Sequence, residues 1–396
     1  MSSFAKLPST ARITPTPFEV SIPQEQIIEL QTLVKLSKIA PPTYESLQKD
    51  RRFGITSEWL TSMKDKWIND FDWRACESRI NSFPQFTANV EDIKLHFAAL
   101  FSEKEDAVPI VFLHGWPGSF LEFLPMMQLF RDEFTPSSLP YHIIVPSIPG
   151  YAFSSGPPLD RDYGTADAAR VIDKLMKDLG FEKGYVAQGG DVGSKIARAI
   201  AVYHESCKVV HLNFTPVKRP EGFSDKSLSA KEKHRLEREN VFRTNGIAYA
   251  FEHGSRTSTI GHVLSASPIS LLAWIGEKFL DWVDQPLSPQ TILESVSLYW
   301  FTETFPRGIY FYRENYKELK PPSQYTFPYI EKPFGFSSFP MELTPVPKSW
   351  IETTGNLVFF RDHDQGGHFA ALERPQDLKK DVLDFIEQVW SGAVPK

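Results

Sequence analysis

A chain of 396 residues, with 41% hydrophobic, 23% charged and 13% aromatic residues, has the composition of a globular protein large enough for more than one structural unit. The formal net charge of −6 gives no electrostatic reason to expect nucleic acid as a partner. Two cysteines, Cys76 and Cys207, are too few for a disulfide framework and indicate a reducing compartment, so we expect a cytoplasmic protein.

The termini and the apolar stretches show no targeting or membrane segment. Met1 to Pro17 lack the apolar core of a signal peptide. The most apolar stretch, Ile269 to Phe279, is too short to span a bilayer and contains Glu277 and Lys278. The sequence therefore predicts a protein with no transmembrane span.

The N-terminal part of the chain is predicted to form a helical lobe over residues 1–85. Apolar residues at helical spacing predict one amphipathic helix around Ile27 to Val34 and another around Trp59 to Phe71. Aromatic side chains at this spacing are typical of packing rather than binding. We therefore expect the lobe to pack against the rest of the protein.

Predicted strands follow from residue 93 onwards and alternate with helical patterns. The apolar runs typical of strands are Ile93–Phe97, Ile110–Leu113, Ile143–Val145, Gly184–Ala187, Val209–Phe214 and Leu357–Phe360. This alternation predicts an α/β fold with a mostly parallel doubly wound sheet, in which ligands bind beyond the carboxyl ends of the strands. Residues 86–217 and 321–396 are predicted to form this core, and the aromatic-rich helical patterns of residues 218–320 predict a cap.

A loop rich in glycine and proline, His114-Gly115-Trp116-Pro117-Gly118, follows the second of these runs. Such a loop can turn a backbone N–H toward the carboxyl edge of the sheet, where an oxyanion is held. By itself this is an ordinary turn.

The segment Gly189-Gly190-Asp191-Val192-Gly193 lies between a predicted strand and a helix predicted over Lys195–Tyr203. A sharp strand-to-helix turn needs small residues two positions before and after its centre, because a larger side chain would collide with the neighbouring backbone. A carboxylate there attacks carbon without first losing a proton, which favours displacement followed by ester hydrolysis. The alternative is that Asp191 only caps the helix.

Together the two motifs predict an oxyanion site made by the backbone N–H groups of Trp116 and Val192. A candidate base, His368, follows the last predicted strand in Gly366-Gly367-His368-Phe369. The order of nucleophile, acid and histidine along the chain is that of the α/β-hydrolase fold.

The three motifs described so far are His114–Pro117, Gly189–Gly193 and Gly366–Phe369. Together with the tryptophan-rich N-terminal lobe, they resemble the microsomal-type epoxide hydrolases, specifically the soluble members from filamentous fungi. The likeness extends over nearly the whole chain. It implies an α/β-hydrolase fold with Asp191 as the nucleophile and His368 as the general base.

The resemblance also implies three further site residues. Tyr249 and Tyr312 match the two cap tyrosines that donate hydrogen bonds to the epoxide oxygen, and Glu342 matches the acid that orients the base. Soluble members often carry Asp at the last position, and Asp362 or Asp364 lies nearer His368 in sequence. The choice of acid stays open at this point.

The expected reaction needs an epoxide and water as its only reactants, with neither a metal nor an organic cofactor, and no clustered ligand spacing suggests one. Two alternatives remain: a haloalkane dehalogenase-like hydrolase with the same Asp nucleophile, and a non-catalytic binding protein on this scaffold. The sequence leaves open which epoxides are preferred and whether the protein forms a homodimer.

Overall fold

The computed structural model describes residues 4–224, 228–317 and 327–393. The predicted boundary between cap and core at residues 320 and 321 lies outside these ranges. The strands are β1 (Thr16–Pro17), β2 (Gln85–Val90), β3 (Ile93–Leu100), β4 (Val108–Leu113), β5 (Tyr141–Pro146), β6 (Tyr185–Gly189), β7 (Cys207–Leu212), β8 (Ile330–Ser338) and β9 (Gly355–Asp362).

The α-helices alternate with the strands from β4 onwards, and further helices precede β2 and lie between β7 and β8. They are α1 (Gln24–Leu36), α2 (Ser57–Asn69), α3 (Trp73–Asn81), α4 (Leu124–Glu133), α5 (Thr165–Met176), α6 (Asp191–Tyr203), α7 (Ala230–Val241), α8 (Ala248–Ser255), α9 (Thr257–Ser265), α10 (Pro268–Asp281), α11 (Pro289–Phe301), α12 (Thr304–Gly308), α13 (Tyr310–Lys317), α14 (Lys348–Ile351), α15 (Ala370–Glu373) and α16 (Pro375–Ala393).

In the described part of the chain, the strands form one sheet in the order β1-β2-β3-β5-β4-β6-β7-β8-β9. The pairs from β5-β4 through to β8-β9 are parallel, while β1, β2 and β3 pair antiparallel, as does β3 with β5. The predicted mostly parallel sheet of the α/β-hydrolase fold is confirmed. The carboxyl ends of β4, β6 and β8 therefore lie along one edge.

Helices cover both faces of the sheet. Along β4, Val111 and Leu113 belong to the apolar core that includes α5 and α6, while Ile110 and Phe112 belong to the core that includes α4 and α16. Successive side chains of a strand point to opposite faces, so each strand contributes to both cores. A parallel strand covered on both sides has no polar face, which is why the strands appear in the sequence as continuous apolar runs.

The N-terminal helices pack against the helices of the predicted cap. Contacts join α1 to α10, and α2 and α3 to α11. The Trp67 indole N–H on α2 donates to Ser297 Oγ on α11 at 3.1 Å, and the Trp73 ring lies 4.8 Å from the Phe301 ring.

Several elements differ from the sequence-based prediction. Helix α6 begins at Asp191, four residues earlier than predicted, and α2 ends at Asn69, before Phe71. Neither β2 nor α3 was predicted. Helix α3 is only nine residues long and starts after Asp72, whose side chain accepts from the Arg74 N–H at the N-cap.

Across the described ranges, no single helix is long and apolar enough to cross a membrane. The pair α9 and α10, bent by 116° between its two members, reaches that length and apolarity only when both helices are counted together.

Candidate active site

The turn between β6 and α6 has the predicted sharp form. Asp191 adopts a left-handed backbone with φ of 45°, which is uncommon for a residue with a side chain. A Cβ on Gly189 would lie 2.3 Å from the Gly193 carbonyl oxygen, and one on Gly193 would lie 2.1 Å from the Leu113 carbonyl oxygen. Only glycine allows this approach, which is the physical reason for the small residues around Asp191.

The Asp191 carboxylate is held both by the loop after β4 and by the first turn of α6. Its Oδ1 accepts a hydrogen bond from the Trp116 backbone N–H at 2.8 Å, and the Val192 N–H also bonds to the carboxylate. The N-cap of α6 is Gly190. The alternative in which Asp191 merely caps the helix is therefore wrong.

The negative charge on the Asp191 carboxylate is stabilised by its neighbours, although the carboxylate lies largely away from solvent. Burial alone would raise its pKa, but the hydrogen bond and charge of His368, with the amides of Val192 and Trp116, hold the pKa below its ordinary value. The carboxylate is thus ionised at neutral pH, as a nucleophile must be.

His368 lies between two carboxylates. Its Nδ1 is 2.5 Å from Glu342 Oε1, and its Nε2 is 3.5 Å from Asp191 Oδ2. Both His368 and Glu342 are buried, and the Leu343 backbone N–H donates to Glu342 Oε1 at 2.6 Å. Although burial opposes it, the charge of Glu342 and the bonds to both carboxylates raise the pKa of His368.

The structure places Glu342, and not the other two acids, beside the imidazole. Asp362 pairs with Arg235 and Lys231, and Asp364 is an exposed residue that also pairs with Lys231. Arg238 on α7 donates to the carbonyl oxygen of Glu342 at 3.0 Å, which ties the acid's loop to the cap.

The loop after β4 is fixed by His114. Its Nε2 accepts from the Ile148 backbone N–H at 3.2 Å, and its Nδ1 is 3.2 Å from the Gly115 carbonyl oxygen. Burial lowers the pKa of His114 to about 4, so the ring is neutral. The Trp116-Pro117 peptide bond in this loop is cis.

Tyr249 and Tyr312 come from two cap helices, α8 and α13, that pack against each other. The Tyr249 ring stacks on the Trp116 ring at 5.1 Å and lies 5.8 Å from the Tyr312 ring. Burial and the Asp191 charge raise the pKa of Tyr249, and a hydrogen bond with Tyr312 offsets part of that rise. Burial and the nearby Tyr249 also raise the pKa of Tyr312. Both hydroxyls are therefore neutral donors.

Two other tyrosines are packed residues whose hydroxyls are satisfied by backbone carbonyl groups. Tyr299 donates to the Gly118 carbonyl oxygen at 2.9 Å, and Tyr310 donates to the Pro149 carbonyl oxygen at 3.0 Å. Each fixes a loop at the edge of the sheet.

Sequence reasoning missed four side chains around the site. Lys278 on α10 has its Nζ 4.7 Å from the centre of the Tyr249 ring, and the His253 ring packs edge-on against Trp116 at 4.7 Å. The buried Tyr151 hydroxyl has no hydrogen-bond partner among the described residues, and the Glu122 carboxyl lines a cavity beside Asp191. None of these belongs to a motif, so only the folded chain brings them together.

No group of three or more His, Cys, Asp or Glu side chains that could hold a metal ion occurs within residues 4–224, 228–317 and 327–393.

Comparisons with known proteins agree over nearly the whole chain. Residues 15–123 match the family described as epoxide hydrolase N terminus, and residues 108–241 match the alpha/beta hydrolase fold. A putative epoxide hydrolase from Dothistroma septosporum is 44% identical over 98% of this chain and 93% of its own length. Epoxide hydrolase 1 from Sus scrofa is 30% identical over 93% of this chain and 88% of its own. The solved structure of Aspergillus niger epoxide hydrolase is 64% identical with a TM-score of 0.94, and the match covers 98% of this chain and 100% of that one.

Proposed function

The chain belongs to the epoxide hydrolases, and we propose that it converts an epoxide and water into a vicinal diol through a covalent ester on Asp191. The observation that carries the mechanism is the arrangement of the two Asp191 oxygens. Oδ1 accepts from the Trp116 N–H, while Oδ2 lies 3.5 Å from His368 Nε2. Oδ2 is the attacking oxygen, and Oδ1 becomes the ester carbonyl oxygen.

Ring opening requires donors for the oxygen that leaves carbon. Tyr249 and Tyr312 supply two hydroxyls from the cap, and their raised pKa values keep them protonated. Hydrogen bonds from these hydroxyls strengthen as negative charge builds on the epoxide oxygen, which lowers the barrier. The product is a hydroxyalkyl ester on Asp191. The alkoxide takes its proton, by way of solvent, from the His368 imidazolium, whose pKa is raised in the resting enzyme.

Ester hydrolysis uses His368 as the base and Glu342 to orient it. Esterification removes the Asp191 charge, which is one of the groups that raise the pKa of His368, so the imidazole can then take a proton from water. Water adds to the ester carbonyl, and the backbone N–H groups of Trp116 and Val192 stabilise the oxyanion. His368 returns the proton to the departing diol oxygen. The Asp191 carboxyl then ionises, and its proton restores the His368 imidazolium of the resting enzyme.

The two alternatives are less well supported by the site. A haloalkane dehalogenase needs donors for a halide and has no use for a pair of tyrosine hydroxyls, and the relatives described above are epoxide hydrolases. A non-catalytic binding protein would have no need for a nucleophile, a base and an acid within hydrogen-bonding distance of one another.

A single turnover in ¹⁸O-water, with enzyme in excess over epoxide, tests the covalent step. Because water attacks the Asp191 carbonyl carbon, the oxygen that enters the first diol is one that Asp191 already carried. We expect unlabelled diol and an ¹⁸O label in the tryptic peptide that contains Asp191. Labelled diol with an unlabelled peptide would instead show direct attack of water on the epoxide, with Asp191 as a base.

A further inference from the structure

Glu122 is a carboxyl group at the site for which the mechanism above has no use. It lies in the 3₁₀ turn Phe120–Phe123, just after the loop that holds Asp191, and its backbone N–H donates to the Ser119 carbonyl oxygen at 3.1 Å. The Ser119 hydroxyl accepts from the Leu121 N–H and fixes the start of this turn. The Glu122 side chain is half-buried and lines the same cavity as Asp191 and His368.

The loop after β4 makes room for two carboxyl groups in the same way. A Cβ on Gly115 would lie 2.2 Å from Asp191 Oδ1, and a Cβ on Gly118 would lie 1.2 Å from Glu122 Oε1. The Glu122 carboxyl therefore occupies the space that a side chain at position 118 would fill. The absence of a side chain at Gly118 thus leaves the space that the Glu122 carboxyl occupies, and Glu122 lines the same cavity as Asp191.

The cavity is the size of one water molecule. About 20 Å³ is open to the centre of a water molecule, and a buried water needs roughly 10–15 Å³ by that measure. Besides Trp116, five polar side chains line it: His114, Glu122, Asp191, Asn213 and His368. A buried water typically makes about three hydrogen bonds, and these side chains provide that number of partners.

The charges around Glu122 change during the reaction. Burial raises its pKa to about 8, with His368 opposing the rise and Asp191 adding to it. Esterification of Asp191 removes one negative neighbour, and proton transfer to His368 creates a positive one. Both changes lower the pKa of Glu122 during ester hydrolysis. The carboxyl group has an oxygen that can accept a hydrogen bond in either protonation state.

We propose that Glu122 positions the water that hydrolyses the ester, a role that rests on the proposed function. The water donates one hydrogen to His368 Nε2 and the other to an oxygen of the Glu122 carboxyl, which directs an oxygen lone pair at the Asp191 carbonyl carbon. The proton moves to His368 as the new C–O bond forms, and the bond to the diol oxygen then breaks. Glu122 accepts a hydrogen bond and transfers no proton.

The two half-reactions can be separated with styrene oxide and excess enzyme by rapid quench and intact-protein mass spectrometry. The rise of the protein–substrate adduct reports ring opening, and its decay reports ester hydrolysis. Glu122→Leu removes the acceptor, while Glu122→Gln keeps an acceptor oxygen at the same length. Leu121→Val is the matched control, because it changes apolar packing in the same turn at a buried residue that does not line the cavity.

We expect Glu122→Leu to slow adduct decay roughly 100-fold, because misplacing a reactant costs about that factor in rate. The rate of adduct formation should stay within about threefold of the wild-type rate. Glu122→Gln should recover most of the decay rate, and Leu121→Val should leave the ratio of the decay rate to the rate of adduct formation unchanged. If Glu122→Leu does not fold, Glu122→Asp, which retracts the carboxyl by one methylene, should slow decay roughly tenfold.

Three results would overturn the proposal. One is normal decay in Glu122→Leu and Glu122→Asp, and another is equal slowing of rise and decay, which would mark a structural role. The third is adduct decay in Glu122→Gln as slow as in Glu122→Leu. The effect would then come from the charge of Glu122 and not from its acceptor oxygen. An adduct that never forms in the wild type would contradict the covalent mechanism as well, and this distinguishes the two failures.

Discussion

Asp191 has a backbone conformation that costs roughly 1–3 kcal/mol for a residue with a side chain. The surrounding contacts hold it there: Gly193 packs directly on the Leu113 carbonyl, and the Trp116 N–H bonds to the carboxylate. The strained turn and the ionised carboxylate thus depend on the same loop. A change in that loop is expected to affect the position and the charge of Asp191 together.

Glu342 differs from the Asp that soluble members of the family often carry, and its neighbours allow a direct test. Glu342→Gln removes the charge that most strongly raises the pKa of His368, so that pKa should fall. A general base works in its neutral form, and the acid limb of the pH profile for adduct decay should therefore shift to lower pH. The decay rate at its plateau should drop roughly 10²-fold or more, because the imidazolium loses its partner.

Asp362→Asn is the control for this change, because Asp362 pairs with Arg235 and Lys231 instead of His368. Asp362→Asn should leave both the acid limb of the pH profile and the plateau rate of adduct decay as they are in the wild type. A shifted pH profile in Asp362→Asn, with a normal profile in Glu342→Gln, would show that Asp362 and not Glu342 orients His368.

At the scale of elements, the apolar runs were enough to predict β4 and β6, since strands covered on both faces carry little else. Strand β2 was missed although its polar and apolar residues alternate from Gln85 to Val90. That alternation indicates a polar face in solvent, yet Gln85 and Thr87 are buried. Gln85 is satisfied by the Ile80 carbonyl and by His96, and both partners lie outside the strand. A buried polar side chain of this kind can be recognised only when its partners are known.

The site residues that belong to a sequence motif could be predicted, and those outside any motif could not. Asp191 and His368 follow predicted strands, and Glu342 was chosen through the family resemblance. Glu122 carries no such mark, because a glutamate in a helical stretch ordinarily faces solvent. Its only trace in the sequence is Gly118, four residues earlier.

Gly193 tests whether close packing or helix propensity governs the start of α6. Ala is favoured over Gly in a helix by about 1 kcal/mol, so propensity alone predicts a more stable Gly193→Ala variant. A Cβ there would lie 2.1 Å from the Leu113 carbonyl oxygen, a backbone atom that cannot move aside alone. We expect Gly193→Ala to lower the free energy of unfolding by about 1–3 kcal/mol, measured by chemical denaturation, and to slow ring opening.

Gly156→Ala is the matched comparison. A Cβ at Gly156 meets only the Arg307 side chain, at 3.5 Å, which is ordinary contact. Its stability and ring-opening rate should stay near the wild type. A Gly193→Ala variant as stable and active as Gly156→Ala would refute the packing argument.

At the scale of the whole molecule, a continuous set of contacts leads from the N-terminal helices to the site. Trp67 on α2 donates to Ser297 on α11, and Tyr299 on the same helix donates to the Gly118 carbonyl oxygen. Gly118 lies between the Trp116 N–H and the Glu122 carboxyl. The N-terminal lobe thus supports the loop that binds Asp191, even though none of its described residues, 4–85, lines the cavity next to Asp191 and His368.

A double-mutant cycle on Trp67→Phe and Ser297→Ala measures the contact between lobe and cap. Each single change leaves a buried polar group without its partner and should lower the free energy of unfolding by about 1–3 kcal/mol. The double variant leaves neither group unpaired, so its loss should be smaller than the sum by about 1 kcal/mol. Ser295 on the same helix donates to the Thr291 carbonyl oxygen instead, so a cycle of Trp67→Phe with Ser295→Ala should be additive. A coupling energy within about 0.3 kcal/mol of zero for Trp67 and Ser297 would show that the lobe is not joined to α11 through this bond.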